Sequence, residues 1–124
     1  MIERDAHHIL HEKYSWNSRP ESAALRAEPT LIPTIPRRIH NEIHHHVPAV
    51  PLLPLHGLMR VWSRFEPGNN TMQSVDNLMM SIEQSTKHPK MRNIERDLCH
   101  LAVRAIDLQR PYLRQGITEI RRSA

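Results

Sequence analysis

The sequence predicts a mainly helical, small α+β fold, with a short two-stranded or extended element at the N-terminus and a helical hairpin at the C-terminus. Three observations predict it. The chain is 39% hydrophobic but only 4% aromatic, so its core must be built from Leu, Ile, Val and Met, a palette that suits helices. Two segments in the second half repeat apolar residues at the i, i+3, i+4, i+7 spacing of one helical face. Six of the ten Pro (Pro29, Pro33, Pro36, Pro48, Pro51 and Pro54) fall between residues 29 and 54, which makes the middle a Pro-punctuated connector around one short helix. The 124 residues suit a single domain. Within it, residues 1–47 form a His-rich region, and residues 48–124 hold the Pro-rich connector and the hairpin.

In chain order, residues 7–10 and 30–35 (TLIPTI) are brief apolar stretches bounded by Pro or polar residues, as two short strands or extended arms would be. Between them, Glu21 to Glu28 can form a helical turn or two. After Pro36, RRIHNEIHHH predicts a helix of about ten residues, with Pro36 tolerated at its first turn and Pro48 marking its end. Pro54 to Phe65 predicts a second helix with Leu55, Leu58, Val61, Trp62 and Phe65 on one face, and EPGNN breaks it. Thr71 or Ser74 can cap the next helix, over 71–87, in which Val75, Leu78, Met79 and Ile82 share a face. From Asn93, the residues Ile94, Leu98, Leu101, Ala102, Ala105 and Leu108 repeat the same period as far as Pro111. This predicts a helix over 93–109 that pairs with its predecessor as an antiparallel hairpin. Met72, Met79, Met80 and Met91 read as core filler with one or two exposed, Cys99 as a packed thiol and His100 as a rim residue.

Several function classes fall away on composition. Cys99 is the only cysteine, so an intrachain disulfide and a Cys-rich zinc site are both excluded, and a reducing setting follows. No run approaches 18 apolar residues, and the first fifteen residues carry Glu3, Arg4, Asp5 and three His where a signal peptide needs an apolar block. The reading is a soluble, cytoplasmic protein that does not enter membranes. Three scattered glycines, Gly57, Gly68 and Gly116, cannot cradle a phosphate, and GxxxxGK[ST], GxGxxG and GxSxG are absent, which removes P-loop nucleotide hydrolysis. The net charge is +4; residues 1–47 carry six Lys/Arg and six Asp/Glu, and residues 48–124 carry eleven against seven. A solvated helical surface explains that mild balance at least as well as phosphate binding does. The basic tail RQGITEIRRSA places Arg121 and Arg122 as candidate nucleic-acid contacts.

Histidine carries the chemical signal. Seven of the ten His lie in the first 46 positions, where an even spread would place about four. His40 and His44 stand i, i+4 in RRIHNEIH, so a helix presents both imidazoles on one side, as helices do for zinc or another divalent ion. Asn41 follows His40 where a metalloprotease helix needs Glu, which disfavours that class. The order of parts says more than the pair: DAHHI (Asp5 to Ile9), an irregular segment with Trp16 and Asn17, an apolar arm from Leu31 to Ile35, then RRIHNEIH (Arg37 to His44).

That order resembles the HNH nuclease family over about the first third of the chain. The family's ββα-metal core places an Asp/His-His motif on its first strand, an Asn in the loop and a His on the helix. The resemblance implies a divalent metal ion, zinc or magnesium, bound by His7, His40 and His44, with His8 as the general base. It also implies a nucleic-acid substrate, DNA or RNA, with Arg37 and Arg38 beside it. No Asn stands between Ala27 and Leu31, where the family's loop Asn belongs, and the Cys-x-x-Cys pairs of many members are absent. Both a weak metal-dependent endonuclease and a catalytically inactive relative are therefore compatible with the pattern. A second resemblance, carried by HHVPAVPLLP and the following hairpin, is to small uncharacterised proteins of actinobacterial phages. It implies an accessory protein acting on host or phage nucleic acid, or on a host protein. The competing class is thus a non-enzymatic interaction module that binds a host or phage protein through the segment Val47 to Leu55 and the hairpin. Packing of VPAVPLLPL onto the protein's own hairpin is the simpler use of that segment. An aliphatic hairpin also suits a homodimer that completes its core across a two-fold axis.

Overall fold

The computed structural model describes residues 2–10, 20–51, 53 and 55–123, so Trp16 and Asn17 of the irregular segment lie outside the described residues. The fold is mainly helical with a small antiparallel sheet, as composition and periodicity predict. Strand β1 (Arg4–Ala6) pairs with β2 (Thr34–Pro36) in the register Arg4↔Pro36, Asp5↔Ile35, Ala6↔Thr34. The ladder starts three residues earlier than the apolar stretch 7–10 suggests. The extended pairing nevertheless continues through that stretch, because the His7 amide donates to the Pro33 carbonyl and the Ile9 amide to the Leu31 carbonyl. Thr30 and Leu31, expected to begin a short strand or extended arm, instead belong to a 3-10 turn, Pro29–Leu31, braced by the Glu28 carboxylate, which accepts from the amide and hydroxyl of Thr30. Pro29 at the turn's start removes a donor that a strand would have needed.

Helix α1 (Pro20–Arg26) precedes that turn, and α2 (Arg37–His46) follows β2 directly. Pro36 stands at the N-cap of α2 rather than inside its first turn, and its φ of −59° serves a strand end and a helix entry alike. Ile39 and Ile43 drive α2 against the core, and burying two such side chains contributes roughly 3–6 kcal/mol. Helix α3 (Leu55–Arg64) sends Leu58 and Val61 inward, while Trp62, expected on the same face, is 40% exposed. Val50 and Leu53 of the Pro-rich connector are buried in the protein's own core. Helix α4 (Thr71–Ser85) is capped by Asn70, whose side chain accepts from the Gln73 amide at 2.9 Å. Thr71 is the first helical residue, and Ser74 is a buried bridge to Thr30 and the Gly68 amide. Met91 is buried, Met72 and Met79 are partly buried, and Met80 is exposed.

The largest departure is α5. It runs from Asn93 to Arg122 and carries Pro111 in its interior, where the sequence predicts a stop. A Pro costs a helix interior about 3 kcal/mol. The turns beyond it offset that cost by burying Leu113 and packing Tyr112 and Ile117 against the core. The helix also lies about one residue's rotation from the predicted face. Ile94 and Leu101 are 62% and 55% exposed and Leu108 is exposed, whereas Glu95, Cys99, Ala102, Ala105, Ile106, Gln109, Leu113 and Gly116 point inward. Two polar side chains on the buried stripe are satisfied there: Glu95 accepts from Arg92, and Gln109 bonds the N-terminal arm. Gly116 lets α5 approach β2, since a Cβ at this position would stand 2.9 Å from Ile35 Cγ2 and 3.0 Å from Ile35 Cβ.

Gly116→Ala should therefore destabilise the fold by about 1–3 kcal/mol through overpacking. Thermal unfolding followed by circular dichroism should report a lowered midpoint, and a midpoint at or above wild type would contradict the close approach of α5 to β2.

Candidate metal centre

Three imidazoles meet where β1 gives way to the following arm and α2 begins its second turn. Asp5 and His7 are two residues apart on an extended chain, so both side chains project to one side, toward α2. On α2 the stripe of His40 and His44 lies one residue, about 100°, round from the buried stripe of Ile39 and Ile43. Fixing the isoleucines in the core thus places the two histidines on its rim. Ring centroids of His7 and His40 are 5.2 Å apart, those of His7 and His44 5.8 Å, and those of His40 and His44 4.5 Å. One ring nitrogen from each residue lies within 4.8 Å of the other two. Ligands on opposite sides of one ion at about 2.1 Å stand at most about 4.2 Å apart, a spacing of the same order as that of the three nitrogens. The triad is graded from interior to solvent: His7 is buried, His40 intermediate and His44 exposed.

Two hydrogen bonds decide which nitrogen His7 and His40 offer, while His44 Nε2 donates to His40 Nε2 in this arrangement. Gln109 Nε2 donates to the Ile9 carbonyl at 3.2 Å, and because that oxygen only accepts, Gln109 Oε1 must face His7 Nε2, 2.7 Å away. His7 Nε2 is then the protonated nitrogen, and Nδ1 carries the lone pair. Asp5 Oδ2 accepts from His40 Nδ1 at 2.9 Å, which leaves His40 Nε2 as the acceptor nitrogen facing His44 Nε2 at 2.9 Å. A carboxylate behind one candidate ligand imidazole and a carboxamide behind another orient the rings, as outer partners do in metal sites. Asp5 also accepts from Arg37 Nε at 3.2 Å, and the His40 and Arg37 bonds outweigh desolvation and hold its carboxyl below the ordinary 3.8.

His8 is half-buried and lines a cavity of about 410 Å³ together with His7, His44 and Gln109. The cavity thus joins two of the three histidines, His7 and His44, to the residue that the sequence nominates as base. The four predicted arginine contacts separate into two groups. Arg37 is paired with Glu3 and Asp5, and Arg38 with Glu119 at 2.8 Å, so both are already compensated within the chain. Arg121 and Arg122 end α5, twelve and thirteen residues past Gln109, which at 1.5 Å per residue is about 18–20 Å along the helix. Sequence reasoning did not identify Gln109, because a lone glutamine two positions before a proline carries no pattern. Asp5 was visible inside DAHHI, but its bond to His40 depends on the strand register. Comparison of the chain with protein-family models, curated proteins and solved structures finds no match.

Two expectations follow. Gln109→Leu should cost about 1–3 kcal/mol, because it withdraws the buried partner of His7 and of the Ile9 carbonyl; urea unfolding measures this, and wild-type stability would contradict the clasp. A carboxyl whose folded pKa is depressed contributes stability above its unfolded value and loses it as pH falls through the folded one. The stability gap between wild type and Asp5→Asn should therefore be full at pH 7 and vanish only below the ordinary carboxylate range near pH 4. A gap that persists unchanged at pH 2 would assign the effect to packing.

Proposed function

We propose that this chain is an HNH-like, metal-dependent phosphodiesterase acting on nucleic acid, with a ββα-metal centre formed by β1, β2 and α2. The observation that carries the reading is the convergence of His7, His40 and His44, with ring nitrogens within 4.8 Å of one another, behind which Gln109 and Asp5 fix the tautomers. Three imidazole nitrogens suit zinc or a similar transition ion better than magnesium, which prefers oxygen donors and retained water. A divalent ion held there would polarise a phosphoryl oxygen and stabilise the departing one. The protein residues supply the rest. His8 faces the same cavity, where a neutral imidazole can take the proton of an attacking water as the phosphorus–oxygen bond to the leaving group breaks.

The turn at residues 29–31, where the family resemblance expects an Asn, is held by Glu28 instead. Loop bracing is thus available from a different residue type, which supports a folded centre without the usual side chain. The alternative reading, an interaction module working through the Pro-rich segment, is weakened because Val50 and Leu53 are buried in the chain's own core.

Titration calorimetry should detect one divalent ion per chain, bound more weakly as pH falls because imidazole must be neutral to ligate. Asp5→Asn should reduce that affinity about 10–100-fold. His8→Ala should lower metal-dependent nicking of plasmid by about 10²–10⁴-fold with metal affinity retained, whereas His40→Ala should weaken both. Absence of nicking with magnesium, manganese and zinc alike would end the nuclease reading, and absence of binding would end the metal centre.

A further inference from the structure

A second polar cavity, of about 500 Å³, lies between α3 and the connection from α4 to α5. His56, Arg60, Lys90, Arg92 and Glu95 line it. Its charge is lopsided. The single acid, Glu95, has a side chain only 4% exposed and is engaged by Arg92 Nε at 3.0 Å, so it neutralises Arg92 and leaves Arg60 and Lys90 without an ion pair among the described residues. Arg60 is half-buried, and its Nη1 is shielded from solvent with no hydrogen-bond partner among the described residues. A buried guanidinium donor left unmade costs free energy that a matching acceptor would recover. His56 and Arg60 are spaced i, i+4 on α3 and so project to one side. From the opposite wall, the segment bearing Lys90 is held in place by Arg96, which donates to the Thr86 carbonyl at 2.9 Å and the His88 carbonyl at 3.0 Å.

We propose that this cavity is a phosphate-binding site, taking the oxyanion of a phosphate monoester or diester between Arg60 and Lys90. A guanidinium fork with an ammonium beside it is the pairing that recognises phosphoryl oxygens. The field of these cations is felt nearby: after desolvation, the charges of Arg60, Lys90 and Arg64 hold His88 below its ordinary 6.5, as expected where like charges converge without counter-ions. The site does not depend on the metal centre. It does lie on the same buried face of α5, because Glu95 and Gln109 are fourteen residues apart, about 21 Å along the helix and within 40° in rotation.

The test uses the full chain in EDTA, so that the metal centre plays no part. Binding of a fluorescein-labelled twelve-nucleotide single strand is read by anisotropy, and binding of inorganic phosphate is read from the backbone amide resonances of residues 56–60 and 88–92. The expected result is that phosphate shifts those resonances, that the strand binds with a salt-dependent affinity, and that Arg60→Gln and Lys90→Glu each weaken it about tenfold or more while His40→Ala does not. Lys90 is exposed, so its charge reversal tests the site even if Arg60→Gln disturbs folding. Phosphate binding without strand binding keeps the site and assigns it to small phosphorylated ligands. Unmoved resonances, or wild-type strand affinity in Lys90→Glu, overturn the proposal.

Discussion

The molecule is organised around one buried carboxamide. Gln109 sits on the inner face of the long helix, gives its amide protons to the Ile9 carbonyl and takes the proton of His7 Nε2. A side chain of this polarity can be buried only when both ends are satisfied, because an unpaired amide in the interior forfeits several kilocalories. That requirement fixes the rotation of α5 about its axis. It turns Ile94, Leu101 and Leu108 outward, in favour of a stripe that includes two polar residues and two small alanines. It also ties the N-terminal arm to the C-terminal helix across a hundred residues of sequence, closing the wall against which the small sheet and α2 assemble.

The histidine cluster follows from the same constraint. Once Gln109 has taken one nitrogen of His7, the other is directed by elimination, and Asp5 does the same for His40. The two orienting groups differ in kind. The carboxamide is neutral and fully interior, whereas the carboxylate is partly solvated and shared with Arg37. The three histidines are thus graded from a buried end at His7 to an exposed end at His44. The same region balances its charges internally, with Glu3, Asp5 and Glu119 answering Arg37 and Arg38. At the far end of the buried face, Arg60 and Lys90 have no such ion pair among the described residues.

Much of this was legible in the sequence where local rules and tertiary demands agree. The boundaries of α2 and the periodic face of α4 follow from spacing and proline placement, because each is decided within a few residues, and the aliphatic core follows from composition. The pairing of His40 with His44 is likewise local, set by the pitch of one helix. That His7 joins them is not local, since it lies on a different segment of the chain.

What the sequence alone could not decide were features in which distant segments compete. Pro111 reads as a helix stop by propensity, yet α5 passes through it because Leu113, Tyr112, Gly116 and Ile117 gain more against β2 and the core than the proline costs locally. The face of α5 could not be read from hydrophobicity, since the polar Glu95 and Gln109 are interior only by virtue of Arg92 and of the His7 and Ile9 partners. The sequence by itself determined which residues could bind a metal and that a helix would display two of them. Only the tertiary structure determined that they meet, because bringing His7 to His40 and His44 depends on strand register and on a glutamine a hundred residues away.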